Sequence, residues 1–574
     1  MEITYTSPQP ELMDRLRKER RISIDFQDRR RQDWNDNYEL YRNKIKTNRL
    51  TQRQISNIPL LKETVKTLLS QIDEAPMVEF ADKAGDMDKS ILLKEKWEKF
   101  FTDNKLELYD LQDKKNVLLY GRSFKKLNYT DRATVSILDI YDIVIDPLTN
   151  PFNIESAKFV IHQNIYKTVR QILADERYDT EAKDELKKYL NTSEAVIQGD
   201  INREEAEDRN KRLITMGVDS SDFDKFGGGD TLIHICEHYS KMWNKTTKKF
   251  EWRVFVYGDE KVLLLNESLF DLIGVDELPF CTWCEDIETQ DFWNDSVADT
   301  IRTPNKIINT WFSQMTENRT LKNFQMHWYD ATASDKYVPQ TYEPGQGRML
   351  PAPGDPSKTI KPVDVSGLED TMAQIEYVIK VCERATGATA ISKGTGEENK
   401  MTLGEVEILV GKAQERALTM SVFYRKSWEE FARKWLNLVE ANEGDNDFEL
   451  LNKKGASGKM YEKKVYKKDW KSDKGYDISV ASSAEQEGEK TKSVQRFLLL
   501  KNYFPDNLPL TKIIQKKLFT LVDLTPTEIK EVQEYEDKKQ QMIQEGNAQE
   551  MQGLEQSAGN LKQLLQPQPY AQPA

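Results

Sequence analysis

The chain reads as an α+β protein in which helices predominate, on three observations. Two amphipathic helices, residues 296–322 and 366–387, bracket a Pro-rich insert. A single helix of roughly 40 residues follows them, about 60 Å long at ~1.5 Å per residue. Upstream, apolar and polar residues alternate with period two over 124–129 and 133–138, the mark of half-buried strands, and two further strands flank a turn over 231–257.

From the amino terminus, residues 8–45 read as a basic helix carrying Arg15, Arg17, Lys18, Arg20, Arg21 and Arg29 to Arg31. Pro59 to Ile72 is amphipathic and closed by Pro76, and Ile91 to Phe101 and Leu106 to Leu118 extend the helical region. Strands are expected at Phe124 to Tyr129 and Ala133 to Leu138, ending at Ile143-Val144-Ile145-Asp146-Pro147. Residues 154–215 read as charged helix and Gly227 to Asp230 as a flexible joint. Thr231 to Trp243 and Phe250 to Tyr257 flank the turn-like Asn244 to Lys249, and Lys261 to Asn266 adds a strand.

The first bracketing helix begins at Ser296, with Asp299 three residues on and Ile301, Ile308, Trp311, Phe312 and Met315 as its apolar stripe. Pro304 restarts or kinks it. The second opens on Ser366 and Glu369, a capping box, carries Leu368, Met372, Ile375, Val378, Ile379, Cys382 and Ala385, and stops at Gly387, where a left-handed residue fits. The intervening Asn323 to Val365 holds six prolines and the aromatics Trp328, Tyr329, Tyr337 and Tyr342. It is far longer than the roughly 2–8 residues of a helix–helix turn, so it must be a small folded unit. A Gly-containing loop, Ala388 to Met401, then leads to a second capping box, Thr402 and Glu405, and the long helix to about Ala441. Val406, Val410, Ala413, Ala417, Met420, Phe423, Tyr424, Phe431, Trp435 and Leu438 supply its apolar face. A helix that long without heptads needs neighbours along its length, which other copies of the chain would supply.

This order of elements, from Asn294 to Asn442, resembles the core of the portal proteins of tailed bacteriophages. So do three short segments: Trp34-Asn35-Asp36-Asn37-Tyr38-Glu39-Leu40-Tyr41-Arg42, Gly121-Arg122-Ser123-Phe124-Lys125 and Tyr141 to Pro147, which are similar to the podovirus-type branch. The likeness covers roughly residues 30–530. It implies a ring, usually of twelve copies, with wing, stem, clip and crown. On this plan 1–295 is the N-terminal region and α+β wing, 296–322 and 366–387 are stem helices, and 323–365 is the clip. The tunnel loop is 388–402, the long helix and the remainder of the wing 403–485, a helical crown 486–540 and a flexible tail 541–574.

The resemblance further implies a channel at one capsid vertex through which double-stranded DNA is packaged and ejected. Its partners would be the terminase motor, then a tail adaptor, with major capsid and scaffolding proteins around the ring. It places Lys393 and Lys400 of the tunnel loop against DNA, and offers Trp328, Tyr329, Tyr337, Tyr342 and Arg348 of the clip to docking partners. The expected location is the virion, after assembly in the host cytoplasm. A non-viral helical scaffold and a metal-dependent nucleic-acid enzyme are the alternatives.

Composition agrees with this plan. The 574 residues carry a net charge of −13, 38 % hydrophobic and 31 % charged content. That balance argues against a surface that grips nucleic acid throughout, because phosphate binding needs clustered Lys and Arg. No apolar run is long enough to span a membrane and the first 30 residues lack a signal-peptide core. The four cysteines, Cys236, Cys281, Cys284 and Cys382, read as free thiols.

No cofactor is expected. His234-Ile-Cys-Glu-His238 spells H-x-x-E-H, but its flanks favour a strand, whereas the zinc peptidase use of that order needs a helix. Cys281-Thr-Trp-Cys284 has no second pair at zinc spacing. Asp139, Asp142 and Asp146 at a turn read as capping carboxylates rather than a Mg²⁺ site. No G-x-x-x-x-G-K-[ST] occurs, so ATP hydrolysis falls to a partner. Lys453, Lys454, Lys459, Lys463, Lys464, Lys467, Lys468, Lys471 and Lys474 fall in a hairpin-like excursion and read as a solvated loop. Trp311, Trp428 and Trp435 read as packing residues.

Overall fold

The computed structural model describes residues 8–43, 57–72, 77–187, 232–244, 246–258, 262–286, 289, 291–323, 327–329, 360–362, 370–388, 403–454 and 460–481. The chain divides into two units, Met1–Gly444 with Lys471–Val480, and Asp445–Trp470 with Ala481–Ala574.

The first unit opens with helices α1 (Gln9–Tyr41) and α2 (Leu60–Gln71), strand β1 (Met77–Asp82), then α3 (Met87–Asp103) and α4 (Leu106–Tyr120). Strands β2 (Arg122–Tyr129), β3 (Ala133–Leu138), β4 (Ile143–Ile145) and β5 (Phe159–Thr168) precede two short helices, α5 (Val169–Ala174) and α6 (Thr180–Leu186). Next come β6 (Leu232–Asn244), β7 (Lys249–Gly258), β8 (Val262–Ser268), α7 (Leu269–Ile273) and β9 (Phe280–Cys284). Then follow α8 (Val297–Asn323), β10 (His327–Tyr329), β11 (Ile360–Pro362), α9 (Thr371–Thr386) and α10 (Leu403–Asn442). In the first unit β14 (Tyr476–Ala481) pairs with β1, and the second unit holds β12 (Phe448–Lys454), β13 (Met460–Tyr466) and α11 (Lys467–Trp470).

The body is layered. Strands β4-β5-β6-β7-β8 form an antiparallel sheet, one face of which takes the apolar side of α1. Leu12, Met13, Leu16 and Ile24 pack there on Val144, Ile161, Cys236, Phe255 and Tyr257. The opposite face meets a second antiparallel sheet, β3-β2-β9, where Tyr239 stands edge-on to Phe280 at 5.1 Å and Lys126 Nζ pairs with Glu237. Beyond the second sheet lie α4 and α10. Neighbouring lysines of β2 therefore point to opposite layers, since side chains alternate across a strand. Lys126 reaches the larger sheet, while Lys125 reaches Asp113 of α4 at 2.8 Å and lies 4.6 Å over the Trp428 ring of α10.

Residues 154–215 do not keep to the helical reading. Phe159–Thr168 is a strand between β4 and β6, and its first residues, Phe159, Val160 and Ile161, are buried on both faces and so show no polar alternation. Helices resume only as the short α5 and α6, and 188–215 lie outside the described residues. The long helix does span 40 residues, but the second half of α10 finds neighbours in its own chain. Trp428, Phe431 and Trp435 interlock with Phe80, Trp97 and Phe100, with Trp97 and Trp435 centroids 5.0 Å apart. Trp428 and Trp435 are fully buried packing residues; Trp311 is half-buried. The Ser366–Glu369 box lies outside the described residues; α9 begins at Thr371 after Asp370, which makes no side-chain cap. Gly387 ends it with φ +79°, as its left-handed role requires. Pro304 sits inside one continuous α8.

Candidate functional site

Helix α8 packs on α1, α2 and α4, and α9 packs against it. Between them, β10 and β11 pair antiparallel with Trp328 opposite Lys361, which closes the base of the insert and brings the two helices side by side. The mechanical question for such a pair is what holds its start.

Helix α8 begins with a reciprocal cap. Ser296 N donates to Asp299 Oδ2 at 2.9 Å, and Asp299 N donates to Ser296 Oγ at 3.1 Å, satisfying two otherwise orphaned N–H groups. Helix α1 then clamps this cap from the side. Arg30 bridges Asp295 at 2.7 Å and Asp299 at 2.9 Å, Arg302 reaches back to Asp33 at 2.7 Å, and Lys306 to Asp36 at 2.6 Å. The buried Asn37 donates to Leu119 O and Asp299 Oδ1, both at 3.1 Å. The spacing 30, 33, 36/37 puts these side chains on one face of α1.

A second set of contacts comes from the chain reversal at Gly121. That residue holds φ +83°, and a Cβ there would lie 2.2 Å from Asn294 O, so glycine is needed for both conformation and close approach. Next to it the fully buried Arg122 donates to Phe292 O at 2.8 Å, Pro151 O at 3.0 Å and Asn294 Oδ1 at 2.7 Å, with its guanidinium 4.0 Å over the Phe292 ring. Burial pulls its pKa down to about 10. Trp34 fills the space beside this node, edge-on to Tyr141 at 5.5 Å and Trp293 at 5.3 Å, and Tyr141 OH donates to Asn35 Oδ1 at 2.7 Å. The three short segments singled out in the sequence, around Trp34, Gly121 and Tyr141, thus converge on the anchor of α8.

One acid at this anchor is perturbed. The Glu285 side chain retains some solvent contact, yet its Oε2 accepts from Val297 N at 2.7 Å at the start of α8. Desolvation, reinforced by Asp286, Asp299 and Asp295, pushes its pKa up to about 8. A further polar network ties α10 to the body: Trp283 Nε1 donates to Asp113 Oδ2 at 2.7 Å, Tyr424 OH to Asp110 Oδ1 at 2.6 Å, and Lys114 pairs with Asp110 at 2.6 Å.

The other motifs have structural duties. His234 Nε2 accepts from Asn164 N at 3.0 Å, where Asn164, at φ +61°, forms a bulge in β5, and His238 Nε2 lies 2.9 Å from Glu19. Asp139 and Asp146 accept backbone N–H groups at the turn, and Asp142 accepts from Asn164. All four cysteines are buried and none is in a disulfide, and burial pushes the Cys281 thiol up to about 12. Among the described residues no group of three or more His, Cys, Asp and Glu is placed to hold a metal ion, and no helix is long and apolar enough to cross a membrane.

Of the residues assigned to partner contacts, Trp328 and Tyr329 fall on β10, with side chains outside the described set. Tyr337, Tyr342, Arg348, Lys393 and Lys400 lie outside the described residues. Asp33 and Arg302 of the clamp went unread in the sequence, and Arg30 was read only as part of a basic helix; the Ser296–Asp299 pattern and the three short segments signalled the site.

A layered body thus grips the start of one helix of a pair. The chain belongs to the phage portal proteins: the family described as "Phage SU10 portal protein" matches residues 33–500, which include the whole anchor except Arg30. That family is structural rather than enzymatic, and it places the chain in the virion. A solved structure titled "Virion of native gene transfer agent (GTA) particle" aligns over 85 % of this chain and 89 % of its own, at 9 % identity and a TM-score of 0.35. Comparison with curated proteins finds no match.

Proposed function

We propose that the chain is the subunit of a ring, twelve copies by family precedent, that forms the channel at one capsid vertex for packaging and ejecting double-stranded DNA. The observation that carries this reading is on α9. Pairing with α8 buries Ile375 and Cys382, but leaves Tyr377 64 % and Met372 46 % exposed. Ala373, Tyr377, Val381 and Ala385, all exposed, recur every four residues as a second apolar row. Such a row costs free energy in water and is covered when a second copy sets its own helix pair alongside.

On this reading α8 and α9 are the stem. The insert 323–365, with Trp328, Tyr329, Tyr337, Tyr342 and Arg348, is the clip that docks the terminase and then the tail adaptor. Major capsid and scaffolding proteins surround the wing. The loop 388–402 faces DNA through Lys393 and Lys400, and 486–540 forms the crown. ATP is hydrolysed by the motor, not by this chain.

Light scattering with negative-stain imaging of the purified protein tests the assembly: a cyclic oligomer near twelve copies with an axial hole supports it, and a stable monomer at micromolar concentration overturns it. Lys393→Ala with Lys400→Ala should leave rings and melting temperature unchanged while lowering retention of packaged DNA, since phosphate contacts are sequence-independent and weaken with salt. Full retention would remove the loop from the channel.

A further inference from the structure

The hairpin of the second unit departs from the rest of this acidic chain. Phe448 to Trp470 holds seven lysines, no arginine and three acidic residues, Glu449, Glu462 and Asp469. Strands β12 and β13 pair antiparallel with Phe448 opposite Tyr466 and Leu450 opposite Lys464. One face is closed, with Leu451, Val465 and Trp470 buried. The other is open, with Phe448 49 % and Leu450 39 % exposed.

On the open face two ammonium groups are held by aromatic rings. Lys464 Nζ lies 4.4 Å from the Phe448 centroid and Lys468 Nζ 5.5 Å from that of Tyr466, and the two rings stand 6.0 Å apart. Both lysines are exposed, and neither has a carboxylate partner among the described residues. Cation–π contact restrains long side chains that would otherwise be loose, which lowers the entropy cost of presenting their charges together.

We propose that this face of the hairpin binds the phosphate backbone of nucleic acid. Two features select that occupant. The exposed Phe448 ring and the half-buried Tyr466 ring beside the cations provide surface for sugars and bases. The cationic density is local, within a chain of net charge −13, so it is a patch rather than a general property. The site is distinct from the proposed channel loop and stands or falls independently of it.

The test uses the full chain carrying Lys393→Ala and Lys400→Ala in every arm, so that the loop contributes no signal. Fluorescence anisotropy with a labelled 20-base-pair duplex and a single strand of equal length is measured across 50–300 mM NaCl. Lys464→Ala with Lys468→Ala should weaken binding by on the order of tenfold or more at 0.1 M salt and flatten the log–log salt slope by roughly two. Lys464→Arg with Lys468→Arg should restore both, and circular dichroism should be unchanged throughout. Unchanged affinity and slope in the alanine variant would overturn the proposal. So would displacement of the DNA by polyglutamate as readily as by unlabelled DNA of matched charge.

Discussion

Arg122 Nη2 donates to Asn294 Oδ1 across 2.7 Å, joining the first residue of a buried strand to the segment that launches α8. The same guanidinium serves two backbone carbonyls, so its removal orphans several buried acceptors at once. Arg122→Met should destabilise the protein by about 3 kcal/mol or more, read as a lowered denaturant midpoint. Arg122→Lys should recover little of this, because a single ammonium lacks the fork that spans three acceptors.

Gly121→Ala should be nearly as damaging as the loss of Arg122. The left-handed backbone costs an alanine about 1 kcal/mol or more, and the new methyl meets the Asn294 carbonyl carbon and oxygen rather than a yielding side chain. Gly85→Ala, at φ +84° with nothing near its Cβ, is the control for the backbone effect alone. A smaller loss there than at Gly121 isolates the clash.

Glu285 gives the anchor a pH dependence of definite sign. In the unfolded chain its proton leaves near the ordinary 4.5, and in the fold near about 8. Ionisation between those values favours the unfolded chain, so its contribution is complete below about 4.5 and lost as the pH rises through 8. Glu285→Gln, which keeps an oxygen for Val297 N, should flatten the fall of melting temperature between pH 5 and 8. Parallel profiles for the two proteins would show that other groups set the dependence.

Tyr377→Asp with Val381→Asp on α9 places charges on the exposed apolar row without touching Ile375 or Cys382. The variant should fold with near-normal helical content yet sediment as a smaller species than the parent. Rings of normal size would show that this row is not an interface.

The legible parts of the fold were those set by local rules. Gly387 at a helix end, the Ser296–Asp299 cap and the 40-residue α10 depend on neighbours a few positions away, and all three appear where local chemistry puts them. Strand β5 was illegible because the cause of its burial is remote: Ile161 lies between Val144 and His238, far away in sequence. The clamp was hidden for the same reason, since nothing near Arg30 announces Asp299. Its charges looked like part of a basic helix face until α8 was seen to lie across them.

The clamp at the start of α8 also decides how that helix bears load. Arg30, Asp33, Asp36 and Asn37 grip Asp295 to Lys306 side by side, within a few turns of both helices. A tug on the distant end of α8 therefore strains these links in parallel, not in succession, and the joint yields abruptly, as a rivet shears, rather than peeling open like a zip.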